Sequence, residues 1–201
     1  MKIGIVAVQG AFIEHQRMME KLGFECVQLR QKSDIQDLDG LILPGGESTV
    51  QGKLLRELEM FEPLKNLIEQ GLPTLATCAG LILLAQKLSN DSTVHLGTLP
   101  VTVKRNAYGR QLGSFRTHEH FEGLGEIPMT FIRAPYIEEA APQIKVLAKV
   151  QEKIVAVEYK NQIALAFHPE LEQSSKVHEY FAERVKKNTC NTHVCNIPIV
   201  I

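Results

Sequence analysis

The sequence predicts an α/β protein built on a doubly wound, mainly parallel sheet, with helices on both faces and added antiparallel strands. Three observations predict this. Short apolar runs alternate with segments of helical period through the first half of the chain, the βαβ rhythm of a parallel sheet. The stretch 96–167 carries a closer succession of strand-like runs, which suggests antiparallel additions flanking the parallel core. Apolar runs at 41–43, 73–77 and 163–167 end directly in glycine-rich or polar residues. In open α/β sheets, sites form outside the carboxyl ends of the strands.

The elements follow in order. Residues 2–8 are short and apolar and read as the first, buried strand; the run is too short for a signal peptide and leads straight into a helix. A helix is expected over about 12–22, with Phe12, Met19 and Leu22 on one side and Gly23 as a stop. Strands are expected at 24–29 and 39–43, helices near 49–58 and 61–70, a strand at 73–77 and a buried helix at 79–88. The strand-rich middle gives 97–104, 112–117, 129–133, 145–150, 153–159 and 162–167. A final helix at about 174–187 spaces Val177, Phe181 and Val185 for burial. No internal repeat or linker interrupts this, so residues 1–188 read as one domain and 189–201 as a tail of unknown role.

Cys78 is the most informative residue. It follows the apolar run 73–77 and precedes the apolar helix, with small residues Ala76 and Gly80 on either side. A cysteine at such a turn sits at the positive end of a helix dipole, which favours the nucleophilic thiolate. The segment alone is equally compatible with a small buried core cysteine.

His168-Pro169-Glu170 ends the run at 163–167. Side chains two apart in an extended segment point the same way, so His168 and Glu170 can share a face. A general base beside an orienting carboxylate is what a cysteine nucleophile requires. Alone, the tripeptide is also an ordinary strand end with two solvated polar residues.

The third element is Leu43-Pro44-Gly45-Gly46-Glu47-Ser48-Thr49. Two glycines bring backbone N–H groups close to a ligand. Gly46, with the amide of Ala79 just after the nucleophile, would form an oxyanion hole. The bland reading is a turn into a helix capped by Ser48 or Thr49.

Together PGGES (44–48), TCAG (77–80), RNAYGRQ (105–111), FIRAP (131–135) and FHPEL (167–171) resemble class I glutamine amidotransferase domains, which have a flavodoxin-like fold. More narrowly, the chain is similar to the glutaminase subunits of pyridoxal 5′-phosphate synthases, over roughly residues 1–187. The resemblance implies a catalytic triad of Cys78, His168 and Glu170. It implies that L-glutamine is bound by Gly46, Glu47, Ser48, Arg105, Ile132 and Arg133. Glutamine carries an ammonium and a carboxylate; Glu47 suits the first, and Arg105 or Arg133 the second. Each arginine is otherwise a solvated surface charge. The resemblance further implies a synthase partner that takes the ammonia, and no cofactor or metal. A glutaminase of another pathway, a catalytically silent binding subunit, and a peptidase or deglycase of the same broad fold are the alternatives. The stretch Glu172-Gln173-Ser174-Ser175 departs from the family pattern, and is expected to bear only on the cap of the last helix.

Composition agrees. Lys and Arg number 22 against 23 Asp and Glu, a net charge of −1, so nucleic-acid binding lacks electrostatic support. No run is long enough for a membrane span, and a cytoplasmic location is expected. Cys26, Cys78, Cys190 and Cys195 show no framework spacing; Cys26 reads as a strand residue. Cys190, His193 and Cys195 offer three ligands where structural zinc usually takes four. The tail reads either as poorly ordered or as docking on a partner. His15 is placed on the first helix near the active face, and His95, His118, His120 and His178 in loops or on the surface.

Overall fold

The computed structural model describes residues 1–105 and 114–194, with side chains through residue 190. Most of the RNAYGRQ motif, Cys195 and the last residues therefore lie outside the described residues.

Five parallel strands form the centre: β1 (Lys2–Val6), β2 (Glu25–Leu29), β3 (Gly40–Leu43), β4 (Thr74–Thr77) and β12 (Gln162–Leu165), in the order β2-β1-β3-β4-β12. Every residue of β3, β4 and β12 is buried. Such runs need cover on both faces, as crossover helices provide. Beyond β12 the sheet continues with β11 (Lys153–Tyr159), β9 (Tyr136–Ala140), β6 (Leu99–Lys104) and β5 (Ala85–Leu88). The pairings of β11 with β12, β9 with β11 and β6 with β9 are antiparallel; β5 returns to parallel. β10 (Lys145–Val150) pairs with β11, and β7 (Ser114–Phe121) with β8 (Gly125–Ile132) makes a separate hairpin. This is the fold class expected, with the antiparallel strands gathered on one side.

The helices are amphipathic where exposed. α1 (Phe12–Lys21) buries His15, Met18 and Met19, one face at i, i+3 and i+4. α2 (Ser48–Glu57) packs on α3 (Phe61–Glu69) and on α4 (Ala79–Leu84). α5 (Lys176–Val194) buries Val177, Phe181 and Val185 as expected and packs against α1. It is also tied to β11: Glu158 accepts from Tyr180 Oη at 2.7 Å and from Arg184 Nε at 2.5 Å.

Several expectations need correction. The helix placed at 79–88 ends at Leu84, and Ala85 turns extended to open β5, where Gln86 and Lys87 are exposed. An unbroken apolar run gives no period by which to separate buried helix from strand. The strand β9 was not expected, because Glu138 and Glu139 mask its pattern. The last helix continues past 187 to Val194, into the stretch read as a tail. The cap of α2 is Glu47, not Ser48 or Thr49: its carboxylate accepts from Thr49 N at 3.1 Å and Val50 N at 2.7 Å. His95 and His178 are buried, whereas His118 and His120 lie on the exposed side of β7.

Candidate active site

Cys78 sits where β4 stops and α4 begins. Its amide donates to Leu165 O at 2.8 Å, which continues the β4 and β12 ladder by one bond. Its backbone then takes φ 48° and ψ −97°, a conformation that costs of order 1–3 kcal/mol for a residue with a Cβ. The reversal lifts the thiol off the sheet and opens α4 behind it, so the amides of Ala79 and Gly80 lie in a first helical turn with no intrahelical acceptor. Gly80 makes this possible: a Cβ there would lie 2.2 Å from Leu43 O.

His168 is delivered by the neighbouring strand. Its amide donates to Thr130 O at 2.8 Å, and the chain then enters a 3-10 turn, Pro169–Leu171. His168 and Glu170 thus meet across a tight turn rather than along an extended face; Pro169 at its start supplies the fixed φ. Nδ1 of His168 lies 2.7 Å from Glu170 Oε1, with both residues buried. That leaves the far ring nitrogen for Cys78, which lines the same cavity and acts on the His168 charge. Burial pulls the imidazole pKa down, but Cys78 and Glu170 outweigh it and raise it to about 10. Burial also works against the Glu170 anion; His15 and His168 outweigh it and keep its pKa below the ordinary value.

The stretch from 172 does more than cap the last helix. Glu172 Oε1 accepts from Arg116 Nε at 3.1 Å and from Thr130 Oγ1 at 2.5 Å, and Oε2 from Arg116 Nη2 at 2.7 Å. The turn that carries His168 and Glu170 is thereby fastened to the β7 and β8 hairpin.

The Pro-Gly-Gly loop is clamped peptide by peptide. Pro44 O accepts from Gln51 Nε2 at 3.2 Å, Gly45 O from Ala11 N at 3.1 Å, and Glu47 N donates to Gln9 Oε1 at 2.8 Å. Gln51 Nε2 also donates to Gln9 O at 2.9 Å. Since N–H and C=O of one trans peptide point opposite ways, the Gly46 N–H faces away from Ala11. Gly45 must lack a side chain, because a Cβ would sit 2.3 Å from the His168 ring.

These parts surround a cavity of about 300 Å³. Gly46, Glu47, Ser48, Cys78, Arg105, Ile132, Arg133 and His168 line it, joined by Gln9, Ile82 and Pro135. Ala79 lies buried behind Cys78, and Glu170 behind His168. Ser48 Oγ is buried with no hydrogen-bond partner among the described residues, a polar atom left for a ligand. Arg133 takes φ 43°, a second strained backbone at the same cavity. The two arginines differ. Arg105 is already paired, with Glu47 Oε1 at 3.2 Å and Asp91 Oδ2 at 2.7 Å, whereas Arg133 has no ion pair among the described residues. The cavity therefore offers a thiol on a strained backbone beside an imidazole, backbone N–H groups and a guanidinium with no ion pair among the described residues, a set suited to an amide-bearing amino acid.

Sequence reasoning missed Gln51, Asp91, Glu172 and His178 as supports of this site. They come from distant segments and carry no local motif.

A parallel sheet with a cysteine at the strand-to-helix elbow, and a histidine and glutamate from the adjacent strand, defines an α/β class of thiol-dependent amide-processing enzymes. The chain belongs to the SNO glutamine amidotransferase family, whose profile matches residues 5–187. A Desulfitobacterium hafniense (strain DSM 10664 / DCB-2) protein named pyridoxal 5'-phosphate synthase subunit PdxT is 62% identical over 186 residues, which span 92% of this chain and 94% of that protein. A protein of the same name from Haemophilus influenzae (strain PittEE) is 54% identical over 190 residues, 92% of this chain and 99% of that one. A crystal structure described as a glutamine amidotransferase matches with a TM-score of 0.88 at 38% identity, covering 92% of this chain and 98% of that one.

Proposed function

We propose that this chain is the glutaminase subunit of a pyridoxal 5′-phosphate synthase, working in the cytoplasm. It hydrolyses L-glutamine to L-glutamate and hands the ammonia to a synthase subunit. The observation that carries the reading is the elbow at Cys78, strained and facing the same cavity as a His168 that Glu170 orients.

In this mechanism the Cys78 thiolate attacks the side-chain carboxamide carbon, and a carbon–sulfur bond forms. His168 holds the thiol proton and delivers it to the departing nitrogen, so the carbon–nitrogen bond breaks and ammonia leaves. Glu170 keeps the His168 ring in register and stabilises its cation. Amides of Gly46 and Ala79 hold the oxyanion, each worth roughly 3–4 kcal/mol. His168 then takes a proton from water, whose oxygen attacks the γ-glutamyl thioester; glutamate and the thiol are released. None of these steps requires a metal or an organic cofactor.

Substrate binding follows from the charges. Arg133 takes the α-carboxylate, with Arg105 beside it. Glu47 is ionised and borders the cavity, and it suits the α-ammonium even while capping α2. Ile132 covers the apolar methylenes. The PdxT name of the relatives supports a synthase partner.

The test is glutamate release from L-glutamine by the chain mixed with a pyridoxal 5′-phosphate synthase subunit, together with co-purification of the two. Turnover with stable association supports the reading. Turnover without association points to another pathway's glutaminase, and association without turnover to a silent subunit.

A further inference from the structure

Behind the reacting groups lies a buried polar chain that the mechanism above leaves unused. His15 on α1 and His178 on α5 are both fully buried. His15 Nδ1 lies 2.9 Å from His178 Nε2. His15 Nε2 lies 3.2 Å from Thr77 Oγ1, on the residue before the nucleophile, and 3.3 Å from Glu170 Oε2. That carboxylate oxygen has no aligned hydrogen bond of its own. Glu170 Oε1 serves His168, and the His15 ring is the neighbour of Oε2 within ion-pair range.

The tautomers follow from which atoms can accept. A lone pair on His15 Nε2 would face the Glu170 anion 3.3 Å away, so electrostatics favour the proton on Nε2. In a neutral ring Nδ1 is then the acceptor, and His178 Nε2 must be the donor. This leaves His178 Nδ1 as a bare acceptor, and that atom is indeed buried without a partner. The opposite arrangement would turn a lone pair toward the Glu170 anion and bury an unpaired N–H. Burial supports the neutral forms: desolvation lowers both imidazole pKa values, that of His178 to about 3.

We propose that His15 is a positioning residue for the active site: its Nε2–H, hydrogen-bonded to Thr77 Oγ1, turns the positive edge of the ring toward Glu170 Oε2 at 3.3 Å so that Oε1 stays on His168, and His178 holds His15 in the tautomer that does this. The inference rests on the glutaminase reading. Elements distant in sequence, α1 and α5, thereby bear on the acid–base pair without touching substrate. The relationship resembles a second support behind a catalytic histidine, which typically affects rate more than binding.

The experiment is a double-mutant cycle on glutamine hydrolysis, run in the complex with saturating synthase subunit. His15→Met keeps volume and removes both hydrogen bonds; His15→Gln keeps a donor at the far end. We expect His15→Met to lower kcat about tenfold with KM within about twofold, and His15→Gln to recover most of the loss. In a Glu170→Gln background, His15→Met should cost less than about twofold further, because the group it positions is already gone. Losses that multiply in the double variant, or a His15→Met kcat equal to wild type, would overturn the role. If His15→Met does not fold, His178→Met is used in its place: a loss of about threefold in kcat is expected, and no loss overturns the proposal. A wild-type complex that releases no glutamate sinks the glutaminase reading and this one with it. Wild-type turnover with an indifferent His15 sinks only this one.

Discussion

Arg105 is held by Asp91: Nη1 lies 2.7 Å from Oδ2, while the Asn90 side chain brackets the Arg105 backbone through bonds of 3.1 and 3.2 Å. The guanidinium is thus pinned at the cavity wall before any ligand arrives. Asp91→Asn should loosen it, leaving only the longer contacts of Nη2 to Glu47 and Thr49. The glutamine KM is expected to rise about threefold to tenfold with kcat little changed, because the interaction serves the unreacting end of the substrate. Arg133→Ala should raise KM more than this. Steady-state kinetics on the two variants check the order, and an Asp91→Asn enzyme with wild-type KM would show that Arg105 needs no such support.

Cys78→Ala should remove glutamine hydrolysis, and a glutamine-derived electrophile should modify wild type at Cys78 alone. Cys26 is a poor competitor: burial, with Glu20 and Glu25 nearby, pushes its thiol up to about 11, so little thiolate exists at neutral pH. Peptide mapping after labelling decides. Equal labelling at Cys26 or Cys190 would remove the assignment.

Glu170→Gln should fold and still lose roughly a hundredfold or more in kcat, whereas His168→Ala should nearly abolish turnover. A fully active Glu170→Gln would reduce the triad to a dyad.

The buried His178 gives a pH dependence of stability. Its folded pKa of about 3 lies below the ordinary 6.5. Between those values the unfolded chain binds a proton that the folded chain refuses. Stability present above pH 6.5 is therefore lost as the pH falls toward 3, by up to about 1.4 kcal/mol per unit. His15 and Glu170 are the titratable groups facing it, and the Glu170 charge only partly offsets the desolvation. His178→Met should flatten this slope. Denaturant melts at about pH 7.5 and 5 should show the variant losing roughly 2 kcal/mol less than wild type. Parallel slopes would mean that His178 is hydrated in the folded protein.

The isolated chain is expected to be a weak glutaminase, switched on by the synthase subunit. Gly46 is held from both sides by the segment between β1 and α1: Gly45 O accepts from Ala11 N, and Glu47 N donates to Gln9 Oε1. A partner that shifts this segment would re-aim the Gly46 N–H, and one oxyanion donor is worth about a hundredfold to a thousandfold in rate. Comparing kcat/KM alone and with saturating partner tests this. Equal values would mean a site assembled in advance.

Much of the site was legible because its chemistry is local. A cysteine after a buried strand, a His-Pro-Glu turn and a Pro-Gly-Gly loop each announce themselves within a few residues, and the strand ends bring them together. The fold was legible for the same reason: Leu41-Ile42-Leu43 and Ile163-Ala164-Leu165 leave few options but a covered parallel sheet. What was not legible depends on distance. Nothing around Asp91 points to Arg105, and nothing around Glu172 points to Arg116. His178 looks like any helix-surface histidine until α1 and α5 close on it. The end of α4 was misread because Leu81 to Ala85 are uniformly apolar, so composition could not say where the helix stops.

The contact between Gly80 and Leu43 has a consequence for variation. The first turn of α4 rests on a strand carbonyl with no room for even a methyl group, and Cys78 is the residue on which that turn pivots. A saturation survey would therefore find position 80 as intolerant as position 78, though Gly80 has no functional group. Its silence in any chemical probe would conceal the fact that it sets the angle of the nucleophile. Alanine, ordinarily the mildest replacement, would there be a displacement of the thiol.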